Sequence, residues 1–319
     1  MSDKVIFAKE IHHRAVKKFK RRSVYVPGID FVWSCDLADM NAFIKYNDNY
    51  RYILCVIDVF SKYAFCIPLK TKSASSVLNA FKSVVESSKR SPQKIWVDKG
   101  SEFYNKDFQN WTKNHNISMY STYGESKSVI VERFIRTIKD LMNHEFTVQN
   151  TRNWVILLPE VLKIYNNRFH KSIKMTPHEA SQKDNAVEAY QNLYSKNSTK
   201  IAIKAKYKIG DKVRISRIKG IFDKGIEPNF YHEVFTIYQV LDTNPVTYKL
   251  QDYNGEVIEG SFYTNELLKT QIPEYFEVES VLETRKVGKK KEYLVKFVGW
   301  PKKFNTFVKE EDMYDIPTK

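Results

Sequence analysis

The stretch Phe31–Met40, FVWSCDLADM, followed by Tyr50–Val59, YRYILCVIDV, and Ser61–Lys70, SKYAFCIPLK, decides the fold. Each run is dense in aromatic and β-branched residues and is separated from the next by polar or Asn-rich turn residues, the pattern of a strand. Three in succession predict an antiparallel meander. The period then lengthens: Val77, Leu78, Phe81, Val84 and Val85 recur at helical spacing between Ser73 and Ser87, and KIWVD, Lys94–Asp98, returns to a short apolar strand. A helix around 103–115, a strand at ISMYST (117–122) and a long helix over about 127–144 complete an order of βββαβαβα. That order predicts an α/β fold, a mixed sheet with helical cover.

Further along, WVILLPEVLKIYNN (154–167) reads as another helix. TPHEA starts one more, with Thr176 as N-cap, Pro177 in the first turn and Glu179 closing a capping box. The predicted core occupies residues 28–184, between a basic N-terminal linker, 1–27, and a polar tether, 185–204. After the tether the character is all-β. YKIGDKVRISRI, EVFTIYQVL and TYKLQDYNGEVIEGSFY alternate in polarity, with Gly210 and Asn254-Gly255 at turns, which predicts a small barrel over 205–271. A last module, 272–319, carries YFEVESVLETRK, EYLVKFVGW and a short acidic tail.

The 319 residues carry 52 Lys and Arg against 37 Asp and Glu, a net charge of +15 that favours a polyanionic partner, nucleic acid first. The charge is clustered, at Lys17, Lys18, Lys20, Arg21 and Arg22 and again at Arg285, Lys286, Lys289, Lys290 and Lys291. No apolar run approaches the length of a membrane span, and MSDKVIFAKE lacks the apolar core of a signal peptide, so an intracellular protein without a membrane partner is expected. Cys35, Cys55 and Cys66 stand singly in apolar stretches and read as buried thiols rather than disulfide or zinc ligands.

Asp36 lies mid-strand in an apolar segment, Asp98 at the end of a second strand and Glu132 in the first turns of a helix. In a βββαβαβα sheet these positions can meet at one edge. Half-buried carboxylates without a cationic neighbour are costly unless a metal holds them, and phosphodiester transfer uses two ions about 3.5–4 Å apart held by such acids. Glu125 competes with Glu132. The latter is preferred because it sits within V-E-R on the helix, where Arg136 and Lys139 continue its face at i+4 and i+7. Asp58, Asp39, Asp107 and Glu102 read as ordinary turn or surface acids.

WSCDLADM, CVIDVFSKYAFCIPL, WVDKGSEF, VIVERFIRTIKDLM and YNNRFHKSIKMTPHEA resemble the integrase core family of retroviruses, retrotransposons and Maverick (Polinton) elements, Maverick-type integrases most closely. The resemblance implies an RNase H-like core in which Asp36, Asp98 and Glu132 bind two Mg²⁺, or Mn²⁺ as substitute. It further implies a DDE integrase that processes the 3′ ends of its element's DNA and transfers them into target DNA. A homo-oligomer, dimer or tetramer, is implied too, acting in the nucleus. Lys127, in a loop like the one that contacts the DNA end, and Arg133, Arg136 and Lys139 would meet DNA phosphates.

The barrel segment resembles the SH3-like domain of Maverick integrases, its Lys212, Arg214, Arg217, Lys219 and Lys224 facing DNA. The last module resembles a chromodomain, with Phe276, Phe297 and Trp300 as a possible methyl-lysine cage for a histone tail. Pro301, Lys302 and Lys303 stand where that family usually places acids, which argues against a basic peptide and leaves open a protein-interaction or DNA-contacting module whose three aromatics are plain core. His12 and His13 have no cysteine near them, so the zinc domain that often begins such integrases is not expected. Two alternatives remain: a nuclease of the same fold that cuts without joining, and a domesticated chromatin- or DNA-binding protein whose core only scaffolds.

Overall fold

The computed structural model describes residues 2–22, 24–121, 129–195, 204–217, 227–272, 274–288 and 290–313. The chain divides into two units, Val24–Lys200 and a second made of Met1–Ser23 together with Ile201–Lys319. Among the described residues no helix is long and apolar enough to cross a membrane.

The central unit is built on one five-stranded sheet, order β3-β2-β1-β4-β5. Its strands are β1 (Val32–Asp39), β2 (Tyr52–Asp58), β3 (Ala64–Leu69), β4 (Lys94–Trp96) and β5 (Ser118–Tyr120). The expected meander β1–β2–β3 is antiparallel, and β4 and β5 add in parallel on the other side of β1. Because strand side chains alternate, β1 serves two cores. Trp33 and Cys35 join the layer under α2 (Ala74–Ser88) and α3 (Lys106–Asn114), with Val77, Phe81, Val84, Ile95 and Phe108. Ala38 faces the opposite layer, under α4 (Val129–Val148) and α5 (Trp154–Asn167), with Val131, Phe134, Ile138, Met142 and Trp154. All three cysteines are buried free thiols, as expected.

The helix boundaries follow the caps. Ser73 accepts from Ser76 N–H to start α2, and Asn105 from Phe108 N–H to start α3. The Thr176–Glu179 capping box forms as read and opens α6 (Pro177–Ala180). The structure extends the unit beyond the expected boundary. Residues 186–194, assigned to a tether, form α7 (Ala186–Tyr194), with Ala189 buried among Val26, Ile173 and Met175.

The second unit holds a five-stranded antiparallel sheet, order β10-β6-β7-β8-β9. These are β6 (Lys212–Ile215), β7 (Phe235–Leu241), β8 (Thr247–Gln251), β9 (Phe262–Tyr263) and β10 (Leu267–Lys269), the last returning to pair with the first. A three-stranded sheet follows: β11 (Val278–Val287), β12 (Lys290–Phe297) and β13 (Thr306–Lys309). The N-terminal residues are not a linker throughout. Asp3–Ile11 form α1, whose Phe7 and Ile11 are buried and whose Glu10 carboxylate lies in a closed polar cluster. Glu10 accepts from Arg214 Nε at 3.0 Å, Thr270 Oγ1 at 2.8 Å and the Gln271 N–H at 2.6 Å.

Candidate active site

The parallel pairing of β1 with β4 sets Trp33 beside Ile95 and Ser34 beside Trp96. Continued by two residues, that register brings Asp36 alongside Asp98, which lies just past the end of β4. Asp36 sits mid-strand opposite Cys55 of β2, and its neighbours Trp33, Cys35 and Val97 fix the backbone from the other face of the sheet. Glu132 comes from the first turns of α4. The helix is anchored by Val131, Phe134, Ile138, Met142 and Phe146, which leaves Glu132, Arg133 and Arg136 exposed. Phe134 belongs to this stripe because the buried face follows i, i+3, i+7 from Val131. Ile135 is half-buried beside it.

Asp36 reports the convergence. Its carboxyl is pushed up to about 6, first by burial, then by the negative charges of Asp98, Glu132 and Glu102; the Leu37 N–H, donating to its Oδ1 at 2.7 Å, opposes them. The acids therefore share one rim at electrostatic range. Among the described residues no three ligand side chains are already gathered closely enough to hold an ion. An all-oxygen carboxylate set suits a hard divalent ion such as Mg²⁺ or Mn²⁺.

Glu102 was read as an ordinary acid, yet it is the fourth carboxylate of this group. Its side chain folds back over Gly100, where a Cβ would stand 2.3 Å from the carboxylate oxygen. The signal available in the sequence was the glycine itself, two residues after Asp98 and two before Glu102. Asp58 is structural, as read. It is fully buried, accepts from Ser61 Oγ at 2.5 Å and pairs with Arg90 at 3.2 Å. Asp39 caps Asn41 and lies within electrostatic reach of Lys139.

Of the residues expected to meet DNA, the side chains of Arg133 and Arg136 are exposed and carry no ion pair with any described residue, and Lys139 is half-buried on the same helix. Lys127, Lys219 and Lys224 lie outside the described residues, as does Glu125. Lys212 is exposed and donates to Thr236 Oγ1 at 2.7 Å. Arg214 is corrected. Its side chain is 0% exposed and paired with Glu10, so it cannot reach a phosphate. Phe7 and Glu10 of α1 cover it, a contact the resemblance to a DNA-facing domain did not include.

Phe276, Phe297 and Trp300 do meet, with ring centroids 5.1–6.1 Å apart. Tyr253, from the preceding sheet and 61% exposed, extends the cluster at 5.8 Å from Phe276 and 6.2 Å from Trp300. Trp300 is itself 7% exposed and packs on Phe304, so it is also core. Lys303 is neutralised by Asp252 at 3.0 Å and by Glu256.

Compared with known proteins, residues 30–122 match the integrase core domain family, and residues 276–319 the chromo (chromatin organisation modifier) domain family. The matched span includes Asp36 and Asp98 and ends before Glu132. An uncharacterized transposon-derived protein of Caenorhabditis elegans is 30% identical over 196 residues, 61% of this chain and 65% of that protein. The Pro-Pol polyprotein of simian foamy virus type 3 is 32% identical over 135 residues, 42% of this chain and 12% of the polyprotein. The chain thus spans less than two thirds of the length of these relatives. Among solved structures, a chain of the simian T-cell lymphotropic virus intasome in complex with a PP2A regulatory subunit aligns with a TM-score of 0.54. The alignment, at 15% identity, covers 82% of this chain and 84% of that one, a likeness of fold.

Proposed function

We propose that this chain is a metal-dependent polynucleotidyl transferase, an integrase that trims the 3′ ends of its element's DNA and joins them to target DNA. The observation that carries this reading is the electrostatic coupling of Asp36 to Asp98, Glu132 and Glu102 at one rim of an integrase core sheet. Asp36, Asp98 and Glu132 are the residues that would hold two Mg²⁺, with Mn²⁺ as substitute. Bound there, the ions would stabilise the attacking and leaving oxygens of an in-line displacement.

The chain's own contribution is rigidity and charge. Asp36 stands on β1, Asp98 follows the end of the adjacent β4, and Glu132 is held by the apolar stripe of α4, so the three acids would close on a shared ion from elements packed on one sheet. Arg136 and Lys139 continue from Glu132 along the helix and would hold the DNA backbone beside the reacting phosphate. Lys212 would add a sequence-independent contact in the second unit. Joining two DNA ends implies a homo-oligomer, dimer or tetramer, and chromosomal target DNA implies the nucleus. Among such enzymes the motifs resemble Maverick-type integrases.

For the last module we propose chromatin tethering through a methylated lysine held by Phe276, Phe297 and Trp300. The ion pairs of Lys303 with Asp252 and Glu256 support it, since they remove the positive charge that would repel a basic histone tail.

The test is joining of candidate terminal oligonucleotides by the purified full chain with Mg²⁺. Glu132→Gln and Asp98→Asn are expected to lower processing and joining by about 10²–10³-fold or more. Unchanged joining by Asp98→Asn would sink the enzyme reading. Cleavage without transfer of a pre-cleaved end would leave only a nuclease.

A further inference from the structure

The turn between β2 and β3 holds a lysine where the backbone favours glycine. Lys62 has φ +64°. The turn is pinned by Asp58, whose carbonyl accepts the Lys62 N–H at 2.8 Å and whose carboxylate accepts the Phe60 N–H at 3.2 Å and Ser61 Oγ at 2.5 Å. The Lys62 ammonium folds back to donate to the Val59 carbonyl at 2.5 Å.

Three elements meet there. Val59 and Phe60 of the turn, Ile173 and Met175 of the loop after α5, and Ile130 at the start of α4 pack in one apolar cluster. Arg133, one helical turn after Ile130, and His170, three residues before Ile173, border that cluster, each within electrostatic reach of Lys62 and of the other. The loop is closed by His170 N–H to the Met175 carbonyl at 3.0 Å and Lys174 N–H to the His170 carbonyl at 2.9 Å. His170 Nδ1 accepts the Ser172 N–H at 3.3 Å, which leaves Nε2–H as a donor with no partner among the described residues.

The charges do not cancel. Asp58 is the acid that acts on Lys62, and it is already engaged by Arg90 and Ser61. Burial, with Arg133 adding to it, lowers Lys62 to about 8; burial and then the Lys62 and Arg133 charges hold His170 near 4. Three donors are gathered with a surplus of positive charge, an arrangement that an anion would relieve.

We propose that Lys62, Arg133 and His170 form a subsite for one DNA backbone phosphate, adjoining Glu132 along α4. This rests on the integrase reading, in which DNA lies along that helix. The test is fluorescence anisotropy of the full chain with a labelled duplex over a salt series in EDTA, so that no cleavage intervenes. Lys62→Gly is expected to weaken binding and to reduce the slope of log affinity against log salt by about 0.9, the value of one lost phosphate contact. Its melting temperature should hold or rise, because glycine suits φ +64°. Lys62→Arg should keep the slope, and Arg133→Gln should lower it by a similar amount. Wild-type affinity and slope in Lys62→Gly would overturn the subsite while leaving the integrase reading intact. Loss of slope in Lys62→Arg as well would overturn it too, by showing that the turn's shape, not the charge, was needed. A wild-type chain that binds no duplex at low salt would remove both.

Discussion

Replacing Asp36 by Asn keeps the side chain's shape and removes a charge the fold resists carrying. The carboxyl ionises at about 6 in the folded chain against an ordinary 3.8. Each pH unit corresponds to about 1.4 kcal/mol, so the upper bound is roughly 3 kcal/mol, and partial solvent access reduces it to about 1–2 kcal/mol. The native state keeps a proton that the unfolded chain has already released, so stability falls as pH rises from about 4 to about 6 and stays lower above that. Asp36→Asn lacks this step. In EDTA the variant should be more stable than wild type by about 1–2 kcal/mol at pH 8, and the gap should vanish as pH falls towards 4. Urea unfolding followed by tryptophan fluorescence is the assay, since Trp33, Trp96, Trp111 and Trp154 all lie in the central unit. Mg²⁺ at ten times its dissociation constant should return about 1.4 kcal/mol to wild type alone. A variant less stable than wild type at pH 8, or a gap of the same size at both pH values, would refute the reasoning.

Glu102→Gln should retain joining within about tenfold while moving the acid limb of its pH profile by a fraction of a unit to lower pH, because one negative charge near Asp36 is gone. A loss as complete as that of Glu132→Gln would make Glu102 the third metal-holding acid instead. Glu10→Ala should destabilise the second unit by about 3–5 kcal/mol, since Arg214 would be left charged and buried, whereas Glu10→Leu with Arg214→Met should cost much less. Thermal unfolding of the three chains measures this, and equal melting temperatures would refute it. Phe276→Ala should weaken binding of a trimethyl-lysine histone peptide, measured by calorimetric titration, with little effect on the unmethylated peptide. Equal affinity of the wild-type chain for the two peptides would rule out the cage.

The central unit was legible because its signals are local. Strand runs, the switch to helical spacing at Val77 and the Thr176 capping box each act within a few residues, and the structure follows them. Asp36 falls within β1 and Asp98 two residues past β4, the strand paired with it, where the same pattern puts them. What escaped were long-range pairings. Nothing around Glu10 or Arg214 announces a partner about 200 residues away, so α1 read as linker and Arg214 as a surface cation. Glu102 escaped for a different reason: its place depends on a side chain folding over Gly100, and spacing alone does not specify a rotamer.

The pairing of Glu10 with Arg214 also imposes an order on biosynthesis. The helix carrying Glu10 is made 204 residues before its partner. At ~5–20 residues per second the ribosome needs roughly 10–40 s to span that interval, during which Phe7 and Ile11 lack the rest of their unit to pack against while the whole central unit can emerge and collapse. The second unit is therefore the last to mature, though it contains some of the earliest residues made.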